Sequence, residues 1–111
     1  MTRKLVPNKL PPVLIYASPT SRAYFAAGGI NYQNNIDTWQ LALRRLDIPF
    51  EVIDSLSRID KTGFKPAQSL LLLPSAIALT EQERRSLARY HDQGGALLAS
   101  WLCGVRNERG E

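Results

Sequence analysis

The chain has 111 residues, of which 44% are hydrophobic and 22% charged, and its formal net charge is +4. These values are typical of one globular domain with a single hydrophobic core. The single cysteine excludes an internal disulfide bond, and no apolar run approaches the ~18 residues of a membrane-spanning helix.

The positive charge does not follow the pattern of a nucleic-acid interface. The basic residues are scattered along the chain, and aromatic residues are not interleaved with them as single-strand binding requires. We therefore expect a solvated, mildly basic surface and no nucleic-acid partner.

The amino-terminal segment predicts a lead-in to the folded part. Residues 1–10 are mostly polar and hold no apolar core of signal-peptide length, which predicts a flexible start and a cytoplasmic protein. The alternative is a domain of a longer exported or membrane-attached protein, whose sequence would show the same features. The pair Pro11-Pro12 disfavours helix and predicts extended backbone. We expect a single α/β domain over residues 11–111.

The first regular element is predicted at residues 13–18, VLIYAS, a short apolar run that favours a buried strand. The segment that follows is interrupted by Pro19 and by a pair of glycines. It predicts a long connection with a single helical turn at residues 22–27. Connections of this length in a compact domain are often functional.

The next element is predicted to be an amphipathic helix that begins near Asn35 or Asp37, because either residue could cap it. Pro49 ends the helix, and FEVID at residues 50–54 predicts a strand nearer the edge of the sheet. One apolar helical stripe is formed by Ile36, Trp39, Leu43 and Leu46.

The leucine run predicts the centre of the core. A polar connection that predicts one helical turn comes first. Leu70–Leu73 are then apolar at every position, as in a parallel strand covered on both faces. Burial of each leucine contributes about 1.5–3 kcal/mol before entropy.

The second predicted helix has a defined start and stop. Thr80 and Glu83 match a capping box, and Gly94-Gly95 supplies a left-handed stop after about Gln93. The pattern turns Leu87, Tyr90 and Ala88 inward. The apolar run at residues 96–102 predicts a fourth strand, and the polar tail has no further helix pattern.

This order of elements predicts a parallel sheet of about four strands, in the order 2-1-3-4, with helices on both faces. Ligands in such folds bind beyond the carboxyl ends of the strands, where the winding reverses. Here that point lies between the first and third strands, near residues 18–24 and 74–76.

The stretch from residue 46 to 111 resembles the flavodoxin-like domain related to class I glutamine amidotransferases. More narrowly, it is similar to the non-catalytic trimerisation domain of one family of bacterial β-galactosidases. The residues that carry the resemblance are Leu73-Pro74, Leu79, Tyr90, Gly94-Gly95 and the segment from Gly104 to Glu108. The fold hosts many activities, so the resemblance implies a fold more than a function.

Domains of this kind usually continue past the fourth strand with further strands and helices. The resemblance therefore implies either a truncated sheet or a missing layer that another subunit supplies. An uncovered apolar fourth strand would be an association site. We expect self-association or docking to the rest of a larger protein.

Catalytic and metal-binding residues are weakly represented. The amidotransferase class places its nucleophile in a Gly-x-Cys-x-Gly turn, whereas Cys103 follows Leu102 and precedes no helix signal. His91, the only histidine, is predicted at the opposite end of the sheet and has no second ligand at metal spacing. We expect a structural cysteine, no metal and no cofactor. The acidic residues Glu51, Asp54 and Asp60 predict a solvated edge.

The connection after the first strand is the candidate ligand site. Its hydroxyls and arginine could hold a phosphate or a carboxylate, although no P-loop pattern is present, and its aromatic residues could line a carbohydrate or partner surface. The alternative is that the hydroxyls shape turns and the aromatic residues close the core. The candidate residues are Ser18, Thr20, Ser21, Arg22, Tyr24 and Ser75.

Three functions remain open on the sequence. The first is a non-catalytic flavodoxin-like domain for assembly or ligand sensing within a larger carbohydrate-related or envelope-related protein. The second is an amidotransferase-like or hydrolase-like enzyme fragment, which predicts a strained residue with positive φ at a strand end beside a base. The third is a small anion- or nucleotide-binding module at residues 18–22.

Overall fold

A computed structural model describes residues 13–60, 64–100, 104, 106, 107 and 109–111. Its strands are β1 (Val13–Tyr16), β2 (Phe50–Ile53), β3 (Leu70–Leu73) and β4 (Ala96–Ala99); its helices are α1 (Pro19–Ala27), α2 (Gln33–Arg45) and α3 (Glu81–Asp92); 3-10 helices cover Leu56–Asp60 and Pro66–Gln68. All strand pairs are parallel, in the order β2-β1-β3-β4. The predicted α/β fold and the strand order are confirmed.

The two faces of the sheet carry separate cores because successive side chains of a strand point to opposite faces. Val13 and Ile15 pack with α1 and α2, whereas Leu14 and Tyr16 pack with α3 and the first 3-10 helix. A strand that is covered on both faces must be apolar throughout, which explains the continuous hydrophobic run of β1.

Strand β3 lies in the interior of the sheet, as the leucine run predicts. It pairs with β1 on one side and with β4 on the other, in a register that aligns Leu72 with Ile15 and Leu98. Leu71, Leu72 and Leu73 are buried, and Leu70 is partly buried.

Strand β4 is apolar but exposed. All four of its residues are exposed, and Leu97 and Leu98 retain 37% and 47% of their accessible surface. Leu97 and Leu98 are adjacent and therefore point to opposite faces of the sheet. Strand β4 thus has the composition of a central strand and the position of an edge strand.

The connection after β1 is more ordered than the sequence predicts. Residues 19–27 form a complete helix, α1, instead of one turn at residues 22–27. Ser18 caps this helix, since its hydroxyl accepts a hydrogen bond of 3.1 Å from the Ser21 amide, and Pro19 occupies the first turn, where no amide donor is needed. The proline that was expected to interrupt the chain therefore starts the helix.

Helix α2 begins at Gln33, before the predicted caps Asn35 and Asp37, and its capping residue Tyr32 makes no side-chain cap bond. The predicted inward stripe holds for Ile36 and Leu43, which are buried, and Trp39 is partly buried. Leu46 is 67% exposed because it lies just beyond Arg45, where α2 and its buried stripe end.

Helix α3 follows the prediction closely. Both hydrogen bonds of the capping box are present, and Gly94 adopts φ 93° after the helix ends. Leu87 and Tyr90 are buried, but Ala88 is exposed and Ser86 is buried in its place. The inward face of the helix is therefore rotated by a fraction of a turn from the predicted one.

The carboxyl-terminal tail pairs with the segment that follows β3. The Leu79 amide donates a hydrogen bond of 3.0 Å to the Arg106 carbonyl, and the Arg106 amide donates one of 2.9 Å to the Ile77 carbonyl. This parallel bridge pairs Ala78 with Arg106. The tail therefore satisfies backbone groups between β3 and α3, and Gly110 lies against the ring of Tyr24.

Candidate functional site

The carboxyl ends of β1 and β3 converge with the amino-terminal ends of α1 and α3, at the point where the winding of the sheet reverses. In folds of this class, ligands bind at such a point. Helix amino termini present unpaired amide donors and a positive partial charge, so an anionic group is stabilised there.

The carboxylate of Glu83 occupies this position. One oxygen, Oε1, accepts hydrogen bonds from the Thr20 hydroxyl at 2.7 Å and from the Thr80 amide at 2.8 Å. The other, Oε2, accepts from the Tyr16 hydroxyl at 2.5 Å and from the Ser18 hydroxyl at 3.0 Å. We call these four donors the carboxylate cradle; they come from the end of β1, the cap and first turn of α1, and the cap of α3.

The cradle governs the ionisation of Glu83. Burial by itself would raise the pKa of this carboxyl, but the Thr80 amide and the hydroxyls of Tyr16, Thr20 and Ser18 hold its pKa below the usual value. Burial, together with the neighbouring Glu83 carboxylate, strongly raises the pKa of Tyr16. Glu83 is therefore ionised at neutral pH, and Tyr16 keeps its proton to donate.

An open cleft of about 300 Å³ adjoins the cradle. It lies between the start of α3, the segment that follows β2 and the first 3-10 helix, and Glu83 forms part of its wall. Asp54 and Asp60 line its rim, and Asp60 forms an ion pair of 3.3 Å with Arg89. The cleft gives solvent a route to the partly buried Glu83 side chain.

Three of the six candidate site residues lie at or beside the cradle. Ser18 and Thr20 are part of it, and their hydroxyls are already engaged by Glu83. Ser21 is fully buried and faces away from Glu83: its hydroxyl donates to the Ala78 carbonyl at 2.7 Å and accepts from the Ala78 amide at 3.2 Å. This serine joins α1 to the segment that follows β3.

Two further candidates, Arg22 and Tyr24, make their contacts outside the cradle. Arg22 is exposed, donates to Gln33 at 2.9 Å and lies 5.5 Å from the ring centroid of Tyr32. Tyr24 packs edge-on against Phe25. These contacts connect α1 to α2 and to the core, which agrees with the structural alternative for the aromatic residues.

An enzyme site was expected to combine a residue of positive φ at a strand end with a base beside it, and Ser75 has the first of these features. It follows Pro74 at the end of β3 and adopts φ 44°, a left-handed conformation that is uncommon outside glycine. Its amide donates to the Ser100 hydroxyl at 3.0 Å. Within the described residues, its hydroxyl makes no hydrogen bond to a histidine or a carboxylate, so the expected base is not found beside it.

The sequence predicts no catalytic or metal-binding role for His91 or Cys103. His91 lies near the carboxyl end of α3, with Nδ1 3.3 Å from the Gly95 carbonyl. This places it at the amino-terminal ends of the strands, whereas Ser75 follows the carboxyl end of β3. Cys103 lies outside the described residues. In the part of the chain that is described, no group of three or more His, Cys, Asp or Glu side chains is arranged to hold a metal.

Sequence reasoning included Ser18 and Thr20 in the candidate site but missed Tyr16 and Glu83. The capping box identified Glu83 and Thr80 as partners within α3, but it gave no sign that the same carboxylate reaches Tyr16 and Ser18, more than sixty residues earlier in the chain. The available signal was an acidic residue in the first turn of a helix at the predicted switch point. A carboxylate of the chain itself at that position can occupy the hydrogen-bond donors that would otherwise hold an anionic ligand.

Comparisons with known proteins show a similar fold. No protein-family model matches the sequence, and no curated protein matches it. Among solved structures, a β-galactosidase from Bifidobacterium adolescentis is similar, with a TM-score of 0.73 and 17% sequence identity over 93% of this chain. The match covers 45% of that chain, so this chain spans less than half of its length. Among the described residues, no helix has the length and apolarity to cross a membrane.

Proposed function

We propose that this chain is a non-catalytic α/β assembly domain of a larger protein, flavodoxin-like in its winding, and that it self-associates through β4. The observation that carries the proposal is the exposed apolar surface of this edge strand, at Leu97 and Leu98. Exposed apolar edge strands pair with other chains unless they are covered, because their free amides and carbonyls are open to a partner strand.

The site geometry supports a non-catalytic role. At the switch point, where this fold class binds ligands, the cradle donors are occupied by Glu83. Ser75 has the backbone conformation of a strained strand end, but no base is found beside it in the described part of the chain. The similarity to part of a longer β-galactosidase chain supports a domain that acts within a larger protein.

Light scattering over a wide range of protein concentration tests the proposal. We expect a multimer that dissociates on dilution, and we expect Leu98→Lys to shift the equilibrium to the monomer because a charged edge residue opposes strand pairing. The matched control is Leu41→Lys on α2, where the leucine is 50% exposed and lies outside β4. A chain that is monomeric at every concentration would exclude self-association.

A further inference from the structure

The carboxylate cradle has the features of an oxyanion-binding site. Its donors converge on two oxygens from three separate parts of the chain, and the amino-terminal ends of α1 and α3 add positive partial charge. We propose that the cradle is a preorganised site for a small carboxylate, which the chain fills with Glu83, and that it will bind free acetate or formate when that side chain is removed.

Preorganisation follows from contacts that do not involve the Glu83 carboxylate. Tyr16 is only 2% exposed and lies in β1, which is paired on both sides. Ser18 is fully buried, and its hydroxyl is also held by the Ser21 amide. The Thr80 side chain accepts from the Glu83 backbone amide, which orients the cap whether or not the carboxylate is present.

The size of the site matches the proposed ligand. Substitution of Glu83 by alanine removes one methylene and the carboxylate, which are the heavy atoms of acetate. The adjoining cleft of about 300 Å³ includes Glu83 in its wall, so a small anion can reach the vacated position from solvent. Tyr16 and Ser18 would otherwise be buried hydroxyls without their acceptor, and a bound anion restores it.

Thermal unfolding of Glu83→Ala in acetate or formate tests the proposal, with sodium chloride at equal ionic strength as the reference. We expect a saturable rise in Tm of about 2–5 °C that chloride does not reproduce. The matched control is Glu81→Ala, which removes an exposed carboxylate of the same helical turn, and neither this variant nor the unmodified chain should show the rise.

A second substitution identifies the place of binding. Ser18→Ala in the Glu83→Ala background should abolish the carboxylate-specific rise, because it removes a cradle donor. If Glu83→Ala is unfolded in chloride, circular dichroism should show that acetate or formate restores the folded form. A folded Glu83→Ala variant with no saturable rise, or an unfolded one that carboxylate does not restore, would overturn the proposal. It is independent of β4, so its failure leaves self-association standing.

Discussion

The hydroxyl of Ser21 forms two hydrogen bonds with the backbone of Ala78: it donates to the carbonyl at 2.7 Å and accepts from the amide at 3.2 Å. Both residues are buried, and 57 positions separate them in the chain. One side chain therefore completes the backbone hydrogen bonding of a residue that is not in a strand or helix. Such pairing is needed because a buried backbone group without a partner is costly.

Ser21→Ala should lower the free energy of unfolding by about 1–3 kcal/mol, because it leaves a buried amide and a buried carbonyl without this partner. Urea denaturation at neutral pH measures the change. Ser57→Ala is the control: Ser57 is exposed and bonds to Ser55, so its substitution should change stability by less than about 0.5 kcal/mol. Equal effects of the two substitutions would contradict the role assigned to Ser21.

Gly95→Ala should destabilise the fold by about 1–3 kcal/mol through overpacking. A methyl group at Gly95 would lie 2.4 Å from the ring of Tyr90, which is held by hydrogen bonds to Ser69 and Ala96 and cannot easily move. Thermal unfolding measures the loss. Gly28→Ala should be nearly neutral because its methyl group meets only ordinary contacts.

A double-mutant cycle provides the decisive control for Gly95. In a Tyr90→Ala background the ring is gone, so the added methyl group of Gly95→Ala should cost much less. An unchanged cost in that background would show that steric overlap with Tyr90 is not the cause.

Glu83→Gln should lower stability by about 2 kcal/mol at pH 7, because the charged acceptor of four hydrogen bonds is lost. The pKa of Glu83 is lower in the folded chain than its ordinary value of 4.5. Its ionised form therefore contributes stability above about pH 4.5, and this contribution is lost as the pH falls through the folded pKa. The difference between the two proteins should shrink over that range.

Urea denaturation from pH 7 to pH 3 measures this dependence. Glu81→Gln is the control: Glu81 is exposed and forms an ion pair of 3.5 Å with Arg85, so its substitution should change stability by less than about 0.5 kcal/mol throughout. A difference between Glu83→Gln and the unmodified chain that stays constant with pH would refute the role of the ionised carboxylate.

Asp47→Gly should stabilise the fold by up to about 1 kcal/mol. Asp47 follows α2 with φ 57°, a left-handed conformation that costs a residue with a Cβ about 1–2 kcal/mol and costs glycine little. Thermal unfolding should show a higher Tm. Ala42→Gly within α2 should instead lower stability by about 1 kcal/mol, and a loss at both positions would contradict the explanation.

Local sequence patterns predicted much of the fold because strand composition and helix caps depend on residues that are close together in the chain. The leucine run of β3 and the capping box of α3 depend on strand composition and on residues three apart, so both were readable from the sequence. Helix α1 was underestimated because Pro19 is a breaker inside a helix but a favourable residue at its start, and only the Ser18 cap distinguishes the two.

The sequence by itself determined the alternation of strands and helices, the central place of β3 and the general location of the switch point, since each follows from local composition and from the handedness of parallel crossovers. Tertiary structure alone decided what occupies that point. Whether Ser18 and Thr20 face solvent or an internal carboxylate depends on the rotation of α3 and the seating of α1 against β1, and contacts across more than sixty residues set both. The same is true of β4, whose composition is that of a covered strand and whose exposure is a property of the assembled sheet.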